Sequence, residues 1–176
     1  MNTNLKLIKE IIYKLTEGKI ELVRYDEYIQ IKHNLISQSP SLVVIKENIL
    51  KDFDVSYSRS NLEKILTNIE KLKNNPQKIY QLLLVFSELA TNMIKHAKGG
   101  IFTLNIYPNL ILMEFNDEGS GINLDKIPYV TLTTYSSKED SLGYGFNICS
   151  TLANKIYINT SEKGTNILVI FNINNS

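Results

Sequence analysis

The chain has 176 residues, of which 43% are hydrophobic and 21% charged, and its formal net charge is +1. Such values suit one soluble domain with an extension and offer no electrostatic footprint for nucleic acid. The longest apolar runs, such as Leu82 to Phe86, are far too short to span a bilayer. Lys6 and Lys9 are not followed by an apolar stretch ending in small residues, so no signal peptide is expected. The single cysteine, Cys149, has no internal disulfide partner and reads as a buried structural thiol, in keeping with a reducing cytoplasm.

In chain order, Leu5, Ile8, Ile11, Ile12 and Leu15 recur at helical spacing, and Gly18 ends that helix. Residues 19 to 37 are ambiguous. Ile20, Leu22 and Val23 suggest a strand, while Tyr28, Ile31 and Leu35 could line a helix. Ser39-Pro40 reads as a helix start, with Leu42, Ile45, Ile49 and Phe53 as one stripe. Residues 1–51 are therefore expected to form a mostly helical extension. Asp54 to Ser58 reads as a short strand and Ser60 to Leu72 as a helix. Pro76 opens a long helix that runs to about Ala97 and is closed by Gly99-Gly100. Ile101 to Ile106 and Leu110 to Phe115 form a hairpin around Pro108-Asn109. A loop rich in Thr and Ser spans 122 to 142, and a helix follows over 145 to 154. Lys155 to Thr160 and Thr165 to Ile173 make a second hairpin. Helices on one side and paired antiparallel strands predict an α/β protein, a two-layer α/β sandwich over residues 52–176.

Four short patterns carry chemistry. On the long helix, Ile79, Phe86, Ala90, Met93 and Ala97 fall on one face at 100° per residue, with Glu88, Asn92 and Lys95 opposite. A solvated polar face is the bland explanation. The sharper one is a carboxylate and a carboxamide aimed at one metal-bound phosphate: an Asn oxygen is a hard ligand that suits Mg²⁺, and a Glu one turn away can take a proton from water or a hydroxyl. Asp117-x-Gly119-x-Gly121 is either a polar turn or an adenine acceptor followed by glycines that admit close backbone approach. Gly143-Tyr144-Gly145 precedes a helix, whose N-terminal N–H groups could meet phosphate. It is neither a P-loop nor a dinucleotide fingerprint. Gly164-Thr165 starts the last strand.

The order of these patterns resembles a known family. Ser87-Glu88-Leu89-Ala90-Thr91-Asn92-Met93-Ile94-Lys95-His96 is similar to the N-box of the GHKL ATPases (gyrase, the heat-shock chaperone, histidine kinase, MutL). Asn116 to Ile122 resembles the first glycine box, Ser141 to Phe146 the second, and Gly164-Thr165 the late Gly-Thr pair. The likeness covers residues 52 to 174 and implies the Bergerat-type ATP-binding fold, with ATP and Mg²⁺ as cofactors. Within the superfamily the chain most resembles the small anti-sigma and switch serine kinases of bacterial stress and sporulation pathways. Tyr135-Ser136-Ser137-Lys138 is similar to their lid.

That resemblance implies catalytic Glu88, Mg²⁺ on Asn92, and a nucleotide held by Lys95, Asp117, Gly119, Gly121, Ser137, Lys138, Gly143, Tyr144, Gly145, Phe146 and Thr165, with His96 structural or close to phosphate. It also implies a STAS-type anti-sigma antagonist as protein substrate, sequestration of a sigma factor as a further output, and a homodimer. Neither nucleic acid nor membrane is an expected partner. Residues 1–51 have no counterpart in the minimal kinases and are expected to supply protein contacts and no nucleotide ligands. The stretch from Asn123 to Ser141 carries Lys138 and no arginine. Two rivals remain: a free-standing histidine-kinase catalytic module, which lacks a preceding helix pair with a phosphoacceptor histidine, and a non-catalytic nucleotide sensor, which would not need Glu88.

Overall fold

The structure, a computed structural model, describes residues 3–37, 40–123 and 142–173. Helix α1 (Thr3–Leu15) leads into β1 (Ile20–Leu22), α2 (Tyr25–Ser37) and β2 (Val43–Ile49). Then come α3 (Asp52–Thr67), α4 (Glu70–Lys73), α5 (Pro76–Ala97), β3 (Gly100–Ile106) and β4 (Leu110–Asp117). The described chain closes with α6 (Leu142–Leu152), β5 (Lys155–Ser161) and β6 (Gly164–Asn172).

The strands form one sheet in the order β1-β5-β6-β4-β3-β2. All neighbours are antiparallel except β1 and β5, which run parallel with Ile20 opposite Ile156. Alternation along each strand sends Phe102, Phe115, Ile158 and Val169 to the face covered by α1, α3, α5 and α6, where the main core lies. Phe86 of α5 meets Phe102 edge-on at 4.7 Å, and Phe102 lies 5.1 Å from Phe115, so the long helix is keyed to the centre of the sheet by aromatic packing. The sandwich expected from sequence is thus present.

The opposite face is not bare. Tyr28, Ile31 and Leu35 of α2 pack there over Leu112, Leu168 and Ile170. Beneath them the buried Glu114 accepts from the Tyr28 hydroxyl at 2.8 Å and from Lys32 Nζ at 2.7 Å.

Two expected elements have the other secondary structure. The stripe of Leu42, Ile45, Ile49 and Phe53 does not form one helix: residues 43–49 are an edge strand paired with β3, Ile45 opposite Leu104 and Ile49 opposite Gly100, and Phe53 lies in the first turn of α3. A spacing of four is common to a helix face and a strand face, and the β-branched run Val43-Val44-Ile45 favours the strand. Leu42 and Phe53, outside that strand, are exposed. Conversely, the strand expected over Asp54 to Ser58 lies inside α3. Asp54 caps it by accepting from the Leu50 and Lys51 N–H groups, and Val55, Ser58, Leu62 and Leu66 bury one helical face. The helix expected over Ser60 to Leu72 is divided at Asn68 and Ile69, so its last turn is the separate α4.

Candidate functional site

Helix α5 is the frame of the site. Asn75 caps it by accepting from the Lys78 N–H at 2.9 Å, Pro76 occupies its first turn, and Lys98 ends it in the left-handed conformation. With Leu82, Phe86, Leu89, Ala90 and Met93 turned into the core, Glu88 and Asn92 are brought, half-buried, against α6. That approach needs a glycine: a Cβ on Gly145 would lie 2.6 Å from Glu88 Oε2 and 3.8 Å from Asn92 Nδ2. Gly143 and Gly145 fall within the first turn of α6 and not ahead of it, because the helix begins at Leu142.

Beside Asn92 opens a cavity of about 260 Å³. Leu89, Met93, Phe115, Phe146 and Ile167 give it an apolar lining, and Asn92, His96, Asp117 and Thr165 supply converging polar groups. An apolar pocket with a few fixed polar groups is the usual architecture of a small-molecule site. None of the described residues that line it precedes Leu89.

Asp117 is the last residue of β4 and does not follow the strand as expected. It is paired with Gly100 on one side and Thr165 on the other. Its Oδ1 accepts from the Gly119 N–H at 3.0 Å and the Thr165 N–H at 3.1 Å. Both bonds use the same oxygen, which leaves Oδ2 as an acceptor for a ligand. Burial pushes this carboxyl above the ordinary aspartate range, opposed by the two N–H donors and by nearby His96.

The glycines of the Asp-x-Gly-x-Gly pattern answer to protein atoms. A Cβ on Gly119 would meet Ala97 Cβ at 2.6 Å, and one on Gly121 would collide with the Ser161 carbonyl oxygen. Gly121 also has φ +74°, which L side chains adopt at a cost.

Of the residues singled out from sequence, Asn92, Asp117, Gly121, Phe146 and Thr165 line the cavity, Gly119 binds Asp117, and Glu88 and Gly145 adjoin Asn92. Lys95 is exposed and outside the lining. Ser137 and Lys138 lie outside the described residues, and Gly143 and Tyr144 are described by backbone alone. Of the apolar lining residues only Phe146 was singled out as a contact; Leu89, Met93, Phe115 and Ile167 were not, since nothing in their local pattern separates them from ordinary core positions.

The site suits a magnesium nucleotide. Among the described residues the buried Asn92 Nδ2 finds no hydrogen-bond partner, a cost that a bound phosphate or metal-phosphate group would relieve. No group of three acidic, His or Cys side chains among the described residues forms a metal cage. Mg²⁺ needs none, because it usually takes one or two protein oxygens and completes its shell with phosphates and water.

Comparisons with known proteins agree with this architecture. The model of the family described as "Histidine kinase-, DNA gyrase B-, and HSP90-like ATPase" matches residues 77–175. Among proteins of curated function none is a detectable relative. Among solved structures, one chain of the SiaB–SiaC complex from Pseudomonas aeruginosa is similar in fold: 7% sequence identity, TM-score 0.51, covering 82% of this chain and 97% of that one. No helix among the described residues is long and apolar enough to cross a membrane.

Proposed function

Because the chain belongs to the histidine kinase-, DNA gyrase B- and HSP90-like ATPases, we propose that it is a Mg-ATP-dependent protein-serine kinase of the anti-sigma and switch type. In this reading Asp117 Oδ2 accepts from the adenine amino group, the apolar walls hold the base, and Asn92 supplies one oxygen to Mg²⁺. A Mg²⁺ ion held there would supply positive charge against the negative charge that develops on the phosphates. Glu88 takes the proton from a serine hydroxyl of the protein substrate as that oxygen attacks the γ-phosphorus, while the bond from the γ-phosphorus to the β,γ-bridging oxygen breaks and ADP leaves with that electron pair. The N-terminal turn of α6, with Gly143 and Gly145, offers N–H groups to phosphate oxygens. Lys95, Ser137 and Lys138 are the proposed further phosphate contacts. The partner is a STAS-type anti-sigma antagonist, and a sigma factor is a second proposed target.

The observation that carries the proposal is the placement of Glu88 one helical turn from Asn92, with Gly145 leaving its carboxylate room. Nucleotide binding alone needs no base at that position. The test is transfer of label from γ-labelled Mg-ATP to STAS proteins encoded nearby. Label on a STAS serine supports the kinase. Label on a histidine supports a histidine-kinase module, and ATP binding with no label supports a nucleotide sensor.

A further inference from the structure

At the end of the sheet nearest the cavity, one cross-strand row runs Gly100, Asp117, Thr165, Thr160. Three of these are already tied to the nucleotide site by position or by contact with Asp117. The fourth, Thr160 on β5, is not in the cavity wall, yet its hydroxyl joins two parts of that wall. Thr160 Oγ1 accepts from the Ile122 N–H at 2.7 Å and lies 3.2 Å from Thr165 Oγ1. Thr165 in turn donates its N–H to Asp117 Oδ1 at 3.1 Å.

A hydroxyl has one proton and two lone pairs. With one lone pair taken by Ile122, the remaining hydrogen-bond capacity of Thr160 is shared with Thr165. The single oxygen therefore fixes both the loop that follows Asp117 and the rotamer of the buried Thr165 hydroxyl. Gly121 makes the contact reachable: its missing Cβ and positive φ let residues 120–122 lie against β5, where a side chain would strike Ser161 O and approach Thr160 Oγ1 at 2.9 Å. The second glycine of the Asp-x-Gly-x-Gly pattern thus serves this hydrogen bond.

We infer that Thr160 is a positioning residue for the nucleotide site, holding the 118–122 loop and Thr165 in the geometry that presents Asp117 to the base. The inference rests on the nucleotide reading of the cavity. It does not depend on which protein receives the phosphate.

The test compares Thr160→Val, which keeps the shape and β-branching but removes the hydroxyl, with Thr160→Ser, which keeps the hydroxyl. ATP affinity is measured by calorimetry and exchange of the Ile122 amide by NMR, in the full chain. Thr160→Val should weaken ATP about tenfold, the usual effect of one lost hydrogen bond in a polar network, and speed Ile122 exchange, while Thr160→Ser stays within about threefold of wild type on both. A role confined to strand stability would shift melting and leave affinity unchanged, so wild-type affinity in Thr160→Val overturns the inference. Should Thr160→Val fail to fold, the wild-type Ile122 amide decides: protection supports the inference, and exchange at the rate of an open loop overturns it. Failure of the wild-type protein to bind ATP would instead refute the functional reading itself.

Discussion

Replacing Asp117 by Asn tests the base-recognition argument with the least disturbance to the fold. In the wild-type protein Oδ1 receives two backbone N–H groups, from Gly119 and Thr165. An amide NH₂ cannot accept, so the Asn oxygen must take that place. Its NH₂ group then occupies the position of Oδ2. A ligand amino group that met an acceptor now meets a donor. Losing a hydrogen bond to a charged group costs roughly 1.5–3 kcal/mol, which is about 10- to 150-fold in ATP affinity. GTP presents a carbonyl oxygen where ATP presents an amino group, so it should gain from the new donor. The ATP-over-GTP preference should therefore fall by more than ATP affinity alone. Calorimetry with both nucleotides gives the result. Unchanged ATP affinity, or unchanged discrimination, would refute the assignment.

The same carboxyl makes two pH predictions of opposite sign. Burial raises its folded-state value above that of an open chain. In the ligand-free protein its contribution to stability is therefore complete below the ordinary aspartate range and lost as pH rises through the raised value. At neutral pH the ionised group is a burden, so Asp117→Asn should melt no lower than wild type without nucleotide. ATP binding needs the ionised form, so affinity should decline on acidification at a higher pH than an exposed aspartate would dictate. A ligand-free Asp117→Asn protein markedly less stable than wild type would contradict the first of these, and a flat affinity profile in mild acid the second.

Other substitutions separate binding from chemistry and from folding. Glu88→Gln should keep ATP affinity within about threefold and lower phosphoryl transfer about 10²- to 10⁴-fold, the usual size of a general-base effect; transfer at the wild-type rate would remove Glu88 from that role. Asn92→Ala should abolish the dependence of ATP affinity on Mg²⁺, read by calorimetry with the metal and with chelator. On the far face of the sheet, Glu114→Ala leaves the buried Tyr28 hydroxyl and Lys32 without their acceptor. It should cost about 2–4 kcal/mol, or very roughly 4–16 °C in melting temperature at this chain length. A shift of under a degree would mean that α2 is held by its apolar contacts alone.

The polar residues of the candidate site were easier to single out in the sequence than the N-terminal elements of the fold. Glu88, Asn92 and Asp117 carry side-chain chemistry at spacings that survive without knowledge of tertiary structure, and the glycines mark close approaches. The first 58 residues were harder because their patterns fit two periods. Ile45 and Ile49 share a face in a helix and in a strand, and only pairing with β3, some 55 residues away in sequence, decides between them. Val55 looked like part of a strand until the Asp54 cap and the buried Leu62 and Leu66 gave it a helical context. Thr160 had no signal at all: its importance comes from lying opposite Thr165 across a hairpin and beside a loop that begins at residue 118.

The glycines show how a motif can mark close approaches for a cause other than the one it suggests. Read alone, they suggest room for a ligand. In the structure, Gly119 makes room for Ala97, Gly121 for Ser161, and Gly164 for the Asp117 carbonyl, each a contact between segments far apart in sequence. Their effect on a nucleotide is therefore indirect: they let the loop after β4, the β5–β6 hairpin and the end of α5 close around one carboxylate. Gly145 is different, because the atom its missing Cβ would strike belongs to Glu88 itself. A methyl group at 119, 121 or 164 should thus disturb folding and ATP affinity together. At 145, where Ala is the better helix former, it should leave the fold intact and displace the proposed base. Separate measurement of melting temperature, ATP affinity and label transfer in Gly121→Ala and Gly145→Ala would expose that difference. Equal losses of stability in the two variants would show that Gly145, too, is there for packing.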